Sequence, residues 1–519
     1  MKTPGNFDDM AATCGAAACH PAVPLRLRNN IMDTMAGVVS VDRWAFGEQP
    51  TPTGGGGLSS LADSAADTHL RNLCASCHLG RRKREYGPVG EGSRGGGCNA
   101  CHLRYPQAAR DDLTRLEAAS PAQRGTVLAR FEHPQLRAKV PDESCFGCHS
   151  RSGRISLNVL GLREADADAG APVRTLEDGR HLFAAPGDVH HERGLGCTDC
   201  HGSWEVMGDG RAAQHREDQA FLECTDCHRT SPPTLVPFSG LDQESQRLAR
   251  ALGFDIGQRR TPLMRRAPYP VLGAHEVDGG LSFTGRFSGR EYPLRPPSPA
   301  CLGVHARVGC PACHDAWAPQ CVSCHTRFDA NEVRYDWRDD AEAPGAWLET
   351  GGPVFSEPGA LGARELSDGG VRFEAFIPGM ILTIDRGDGG LSFQRLYAPI
   401  AAHTTRREAR SCTGCHADSL ALGWGRGALT FSPRGRSLEA RFTPRFPLRP
   451  EDGLPQDAWV APFTRRGSEA TTRSNTRPLS PLEQRRVLAV GVCLSCHRPD
   501  TRWLLEGLPT PTARCRALR

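Results

Sequence analysis

The spacing of apolar and polar positions predicts short elements rather than long ones. Ser120-Pro121-Ala122-Gln123 reads as a capping box with proline at the first helical position, and Val127, Leu128 and Phe131 then share one face. That helix delivers His133. A second box, Ser480-Pro481-Leu482-Glu483, opens a helix running toward Cys493. A third helix is predicted over 241–252, ending at Gly253. The hexamer D-G-G-L-S-F occurs at 278–283 and 388–393, with D-G-G-V-R-F at 368–373. Asp-Gly and Gly-Gly between alternating apolar segments are hairpin turns, so a few antiparallel hairpins are expected around 270–295 and 365–400. Residues 433–480 are rich in Arg and Pro without periodicity, which predicts extended chain wrapping the surface. The glycine-rich stretches 54–57 and 90–97 are loops or close backbone approaches, and neither carries the Lys and Ser/Thr of a phosphate loop. No apolar run approaches 18 residues, so no transmembrane helix is predicted.

Composition changes this picture at one point. Of 519 residues, 39% are apolar, 24% charged and 97 are Gly or Pro, a loop-rich chain that is neither disordered nor collagen-like. The 22 cysteines are the departure. Nine pairs read C-x-x-C-H: Cys74, Cys77 and His78; Cys98, Cys101 and His102; Cys145, Cys148 and His149; Cys197, Cys200 and His201; Cys224, Cys227 and His228; Cys310, Cys313 and His314; Cys321, Cys324 and His325; Cys412, Cys415 and His416; Cys493, Cys496 and His497. Two thiols at this spacing add to the vinyl groups of one haem while the adjacent imidazole ligates its iron, the pattern of covalent c-type attachment. A tenth site, Cys14, Cys19 and His20, has four intervening residues, a loop still able to reach both vinyls. Ten haem c groups are expected. A zinc site or disulfide framework would not require histidine after the second cysteine nine times over. Cys301 and Cys515 are left over, either paired in a disulfide or free as buried thiols.

Nine histidines remain as candidate second ligands to iron: His69, His133, His181, His190, His191, His215, His275, His305 and His403. Most sit shortly upstream of a motif. His190 and His191 are adjacent, so both need not serve. Nine imidazoles cannot serve ten haems, which leaves at least one iron to Met, another residue, a second chain or an open position. Met32, with Met35 beside it, follows the first motif closely and is the candidate thioether ligand; Met207 is a second. A thioether would raise that haem's potential.

Ten motifs in 519 residues is about one per 52, so porphyrins would supply much of the apolar core. The fold class expected is a multihaem cytochrome c: mostly irregular coil with short helices around a packed haem chain, plus hairpins in the 270–400 region. Residues 1–235 form a haem-rich part with six sites and 236–300 a haem-poor segment. A close haem pair at 301–330 precedes a second haem-poor segment, 331–411, and a C-terminal part with two sites, 412–519. Only six residues separate His314 from Cys321, so those two haems are expected to be neighbours.

The formal charge is +4, from 60 Arg, three Lys and 59 acidic residues. Ten ferric haems with ionised propionates would bring it to roughly −6. Arginine forks suit propionates. Nucleic-acid binding is not indicated, since no basic helix or binding motif is present. Haem attachment of this type takes place outside the cytoplasmic membrane, so an extracytoplasmic location is expected, in the periplasm or outside the cell. The start lacks an apolar signal region, so a signal peptide is expected to be absent from this numbering.

The stretches L-R-N-L-C-A-S-C-H-L-G-R, G-G-G-C-N-A-C-H-L-R-Y, H-H-E-R-G-L-G-C-T-D-C-H and C-P-A-C-H-D-A-W-A-P-Q-C-V-S-C-H-T-R-F-D resemble extracytoplasmic multihaem cytochromes of metal-reducing bacteria. The resemblance implies bis-His low-spin haems in a closely spaced chain that conducts electrons to redox partner proteins or extracellular acceptors. Some such cytochromes polymerise end to end into extracellular filaments, an arrangement in which a subunit can ligate its neighbour's haem. The competing class is a multihaem oxidoreductase with one open-site haem, acting on a small nitrogen or sulfur compound. No motif ends in Lys, so the lysine-ligated haem of pentahaem nitrite reductases has no counterpart here.

Overall fold

Local signals place the helices. The computed structural model describes residues 4–494, 497 and 498, apart from 18, 84, 86, 88–92, 152, 166–169, 177–178, 255–256, 258, 302, 435–436 and 466–469. The helix Pro121–Ala129 starts at the Ser120/Gln123 capping box. None of its residues is buried; only Phe131, past its end, reaches the Tyr105, Ala109 and Leu113 cluster. Asp242 caps the helix Gln243–Leu252, and Gly253 ends it at φ +74°, a left-handed conformation that favours glycine. The helix Pro481–Leu494 opens with a reciprocal pair: Ser480 N–H donates to Glu483, and Glu483 N–H donates to Ser480 Oγ.

Strands occupy more of the chain than the periodicity suggested. Among the described residues helix makes up 29% and strand 25%. Around 270–295 the strands Ala274–Val277, Gly280–Thr284 and Glu291–Leu294 form the expected antiparallel sheet. The 365–400 hairpins belong to something larger, a seven-stranded sheet. Its strands are β1 (Cys324–Asp336), β2 (Ala341–Gly351), β3 (Ala360–Glu365), β4 (Val371–Asp385), β5 (Leu391–Pro399), β6 (Ala470–Thr471) and β7 (Thr476–Pro478). The first part of β4 pairs with β3, its last part runs parallel to the start of β1, and β5 lines its other side.

Residues 433–480 do not simply wrap the surface. Leu454, Ala458, Trp459 and Val460 are essentially inaccessible to solvent. Trp459 stacks flat on Tyr397 at 4.7 Å, and Arg395 forks onto Asp452 while donating to the carbonyls of Pro455 and Ala458. A buried guanidinium with carboxylate and carbonyl acceptors pins this aperiodic segment against β5. The main core gathers Leu361, Leu422, Trp424, Val460, Leu479 and Leu488, so the sheet, the loop and the last helix share one packing unit. Among the described residues no helix is long and apolar enough to cross a membrane.

Candidate cofactor sites

Most C-x-x-C-H segments are a single helical turn. Helices span Cys98–His102, Cys197–Cys200, Cys224–Cys227, Cys310–His314 and Cys412–His416, and another ends at His149. Positions i, i+3 and i+4 share one helix face, so such a turn presents both thiols and the imidazole to the same side. The His201, His228 and His497 N–H groups donate to the carbonyl of their first cysteine at 2.9, 2.8 and 2.9 Å. The wider Cys14 loop closes the same bond: His20 N–H donates to the Cys14 carbonyl at 3.1 Å. Two motifs differ. Cys74–His78 is a 3-10 turn, and Cys321–His325 lies on strands, with His325 inside β1. Cys496 and Cys515 lie outside the described residues, and Cys301 is exposed rather than a buried thiol.

Three pairs of imidazoles from distant segments face one another. Ring centroids are 6.3 Å apart for His190 and His228, 6.1 Å for His201 and His403, and 6.1 Å for His305 and His416. An imidazole nitrogen sits about 2.0 Å from a first-row metal and its ring centre about 1.15 Å further, so two imidazoles on opposite sides of one iron have centroids roughly 6.3 Å apart. Each pair joins one motif histidine to one spare histidine. In five of these six imidazoles Nδ1 is engaged: His228 with Arg295 O, His403 with Ala401 O, His416 with Val487 O, His201 with Glu205 and His190 with Asp188. Nε2 is the nitrogen these five would offer to a metal. Burial pushes His403 down to about 4, which keeps it in the neutral, ligating form.

The other spare histidines divide by what their Nε2 meets. His69 and His215 each bury an Nε2 with no hydrogen-bond partner, at a cost of about 1–3 kcal/mol unless something binds there. His69 donates Nδ1–H to Asp42 at 3.0 Å, and its Nε2 lies 4.0 Å from Glu349, whose carboxylate also meets Cys324 Sγ at 3.8 Å. Burial, followed by the charge of Arg473, pushes His215 down to about 4. His191 and His275 turn Nε2 to carboxylates instead, Asp142 at 3.3 Å and Glu291 at 3.6 Å. His181 meets Thr175 Oγ1 at 3.1 Å through Nδ1, and His133 is exposed. Met32 packs half-buried with Met207 beside Cys98 and Cys101 of the third motif, among Phe7, Leu27 and Leu79.

Thiols of different motifs come near one another: Cys14 and Cys98, Cys77 and Cys148, Cys145 and Cys197, and Cys224 and Cys310 lie close enough to perturb each other's ionisation. Cys101 lies in the neighbourhood of Cys145, Cys200 of Cys227, and Cys313 of Cys415. The helix Pro481–Leu494 bears directly on the Cys412 motif, where a Cβ on Gly491 would come within 1.9 Å of His416 O. In space the motifs therefore run Cys14, Cys98, Cys145, Cys197, Cys224, Cys310, Cys412, Cys493. The Cys74 motif branches at Cys148. Cys321 lies beside Arg154 and Glu164, because the link from His314 runs out as the strand Ala318–Cys321.

Haem fits these residues on three counts: the imidazole spacing, the orphaned Nε2 atoms and one arginine. Arg286 is 7% exposed, its Nε has no hydrogen-bond partner, and it lies beside Asp199 and Cys200. A propionate would supply the anion that a buried guanidinium needs. Among the described residues no group of three or more His, Cys, Asp or Glu converges on a metal position. A haem needs only two protein ligands, since the porphyrin supplies four. Comparison with family models, curated proteins and solved structures finds no match to this chain.

Sequence reasoning missed Glu205 and Asp188, the acceptors behind His201 and His190. Their signal was present: Glu205 follows His201 at helical i+4 spacing, and Asp188 precedes His190 by two.

Proposed function

We propose that this protein is an electron conduit carrying ten covalent haems c, mostly ligated by two imidazoles, outside the cytoplasmic membrane. The observation that carries this reading is the series of neighbouring attachment motifs, supported by the three facing imidazole pairs. A thioether fixes the vinyl edge of a porphyrin at the cysteine sulfur. Motifs that neighbour one another in this way would bring the edges of successive porphyrins near each other, the arrangement electron transfer requires. Paired imidazoles favour low-spin iron that exchanges electrons without binding substrate. His20 and His497, at opposite ends of the series, are both exposed, so redox partners meet the chain at its first and last motifs.

Intact mass under denaturing conditions is expected to show ten haem additions. Near-complete low-spin signals and reduction of every haem from one small donor, without turnover of nitrite or hydroxylamine, complete the expectation. Nine additions with free Cys14 and Cys19 would remove the wide site. A high-spin haem with substrate turnover would overturn the conduit in favour of an enzyme.

A further inference from the structure

The axial imidazoles differ in what accepts their Nδ1–H. His78, His102, His228, His314 and His416 all give it to backbone carbonyls, of Ala75, Arg137, Arg295, Arg406 and Val487, at 2.7–3.0 Å. His201 gives it to a carboxylate, Glu205 Oε2, at 3.0 Å. Glu205 is 3% exposed, and its Oε1 accepts the backbone N–H groups of Phe221 and Leu222 at 2.5 and 2.7 Å. His190, which faces His228, also meets a carboxylate, Asp188 Oδ1, at 3.1 Å. Asp188 is 7% exposed and accepts the N–H groups of His190 and Thr405 at 2.9 and 3.0 Å. Backbone amides thus hold both carboxylates in place.

We infer that the neighbouring haems of the Cys197 and Cys224 motifs form a low-potential section in the middle of the series, set by Glu205 and Asp188. The inference rests on the haem reading above. A carboxylate draws the Nδ1 proton and raises the electron density at Nε2 more than a carbonyl does. A more basic ligand favours ferric over ferrous iron and lowers the potential. The two motifs are adjacent, since Glu205, four residues after His201, accepts from Phe221 and Leu222 just ahead of Cys224, so the two depressed sites lie side by side. The Cys412 motif, with His416 on the Val487 carbonyl, stands above them. Electrons crossing the molecule therefore climb over a central rise. Glu205 and Asp188 are positioning residues, since neither touches iron.

The test uses the full-length, haem-loaded protein and its Glu205→Gln and Asp188→Asn variants. Glutamine has one acceptor oxygen, which cannot serve both the backbone amides and His201. Potentiometric titration followed by haem absorbance and electron paramagnetic resonance is expected to show one low-potential component moving upward in each variant. The remaining components stay in place, the spin state stays low, and the haem mass is unchanged. An unmoved low-potential end in a fully loaded, low-spin variant overturns the inference and leaves the conduit reading intact. Absence of haem from these two motifs in the unsubstituted protein overturns the reading itself. Should loss of the Phe221 and Leu222 contacts prevent the Glu205 variant from folding, Asp188→Asn, whose His190 lies partly at the surface, decides alone.

Discussion

His305 is exposed, yet it stands 6.1 Å from His416, a motif histidine more than a hundred positions away. That separation is what the proposed shared iron would require. Replacing His305 with Ala is expected to convert one haem to high-spin and raise one potential, because the ferric state loses a strong donor. Magnetic circular dichroism reads the spin change, and an unchanged spectrum removes His305 from the ligands. The cysteines and motif histidines stood out at this scale because the C-x-x-C-H spacing is local and fixed. The spare histidines stood out as a set of candidates, but which motif histidine each faces did not. His403 reaches His201, and His190 reaches His228 rather than the motif that follows it directly, since folding rather than sequence distance selects the partner. Glu205 and Asp188 were passed over because their spacing from His201 and His190, though present in the sequence, becomes informative only once the hydrogen bonds are seen.

At the scale of elements, capping chemistry was the most reliable guide. Ser480 and Glu483 start the last helix as expected, and Glu483 also pairs with Arg477 at 2.8 Å. Burial opposes the ionised Glu483, but Arg477 and the Ser480 amide hold it below the usual carboxylate range. Because its folded value is depressed, Glu483 contributes stability that is fully present above its ordinary value near 4.5 and is lost as pH falls through the folded value. Glu483→Gln is expected to flatten the acid side of the stability curve, and Glu483→Ala to cost about 1 kcal/mol through the lost cap. Thermal melts between pH 3 and 7 measure both. The turns at 278–283, 368–373 and 388–393 were legible too, since Asp-Gly and Gly-Gly fix their geometry. The seven-stranded sheet was not. The parallel pairing of β4 with β1 joins segments more than fifty residues apart, and the residues that bury 454–461 carry no period of their own.

Across the whole molecule, the order of motifs in space departs from their order in sequence at two places, the Cys74 and Cys321 sites. That difference makes the path testable. Removing Cys224 and Cys227 together should leave nine haems split into two groups, with the Cys310, Cys412 and Cys493 haems lagging behind the rest when one end is reduced. Removing Cys74 and Cys77 should leave eight of the remaining sites in an unbroken series with no lagging group. Stopped-flow absorbance resolves the two outcomes, and identical single-phase kinetics in both variants would contradict a single route.

The close seat of Gly491 on His416 carries a consequence for how the chain opens. With no side chain between them the helix Pro481–Leu494 seats directly on the Cys412 turn, and the bond from His416 to the Val487 carbonyl on that helix ties the two together. The last two motifs should then unfold as one cooperative unit, with amides of 412–416 and 484–492 exchanging hydrogen at a common free energy instead of fraying inward from the C-terminus.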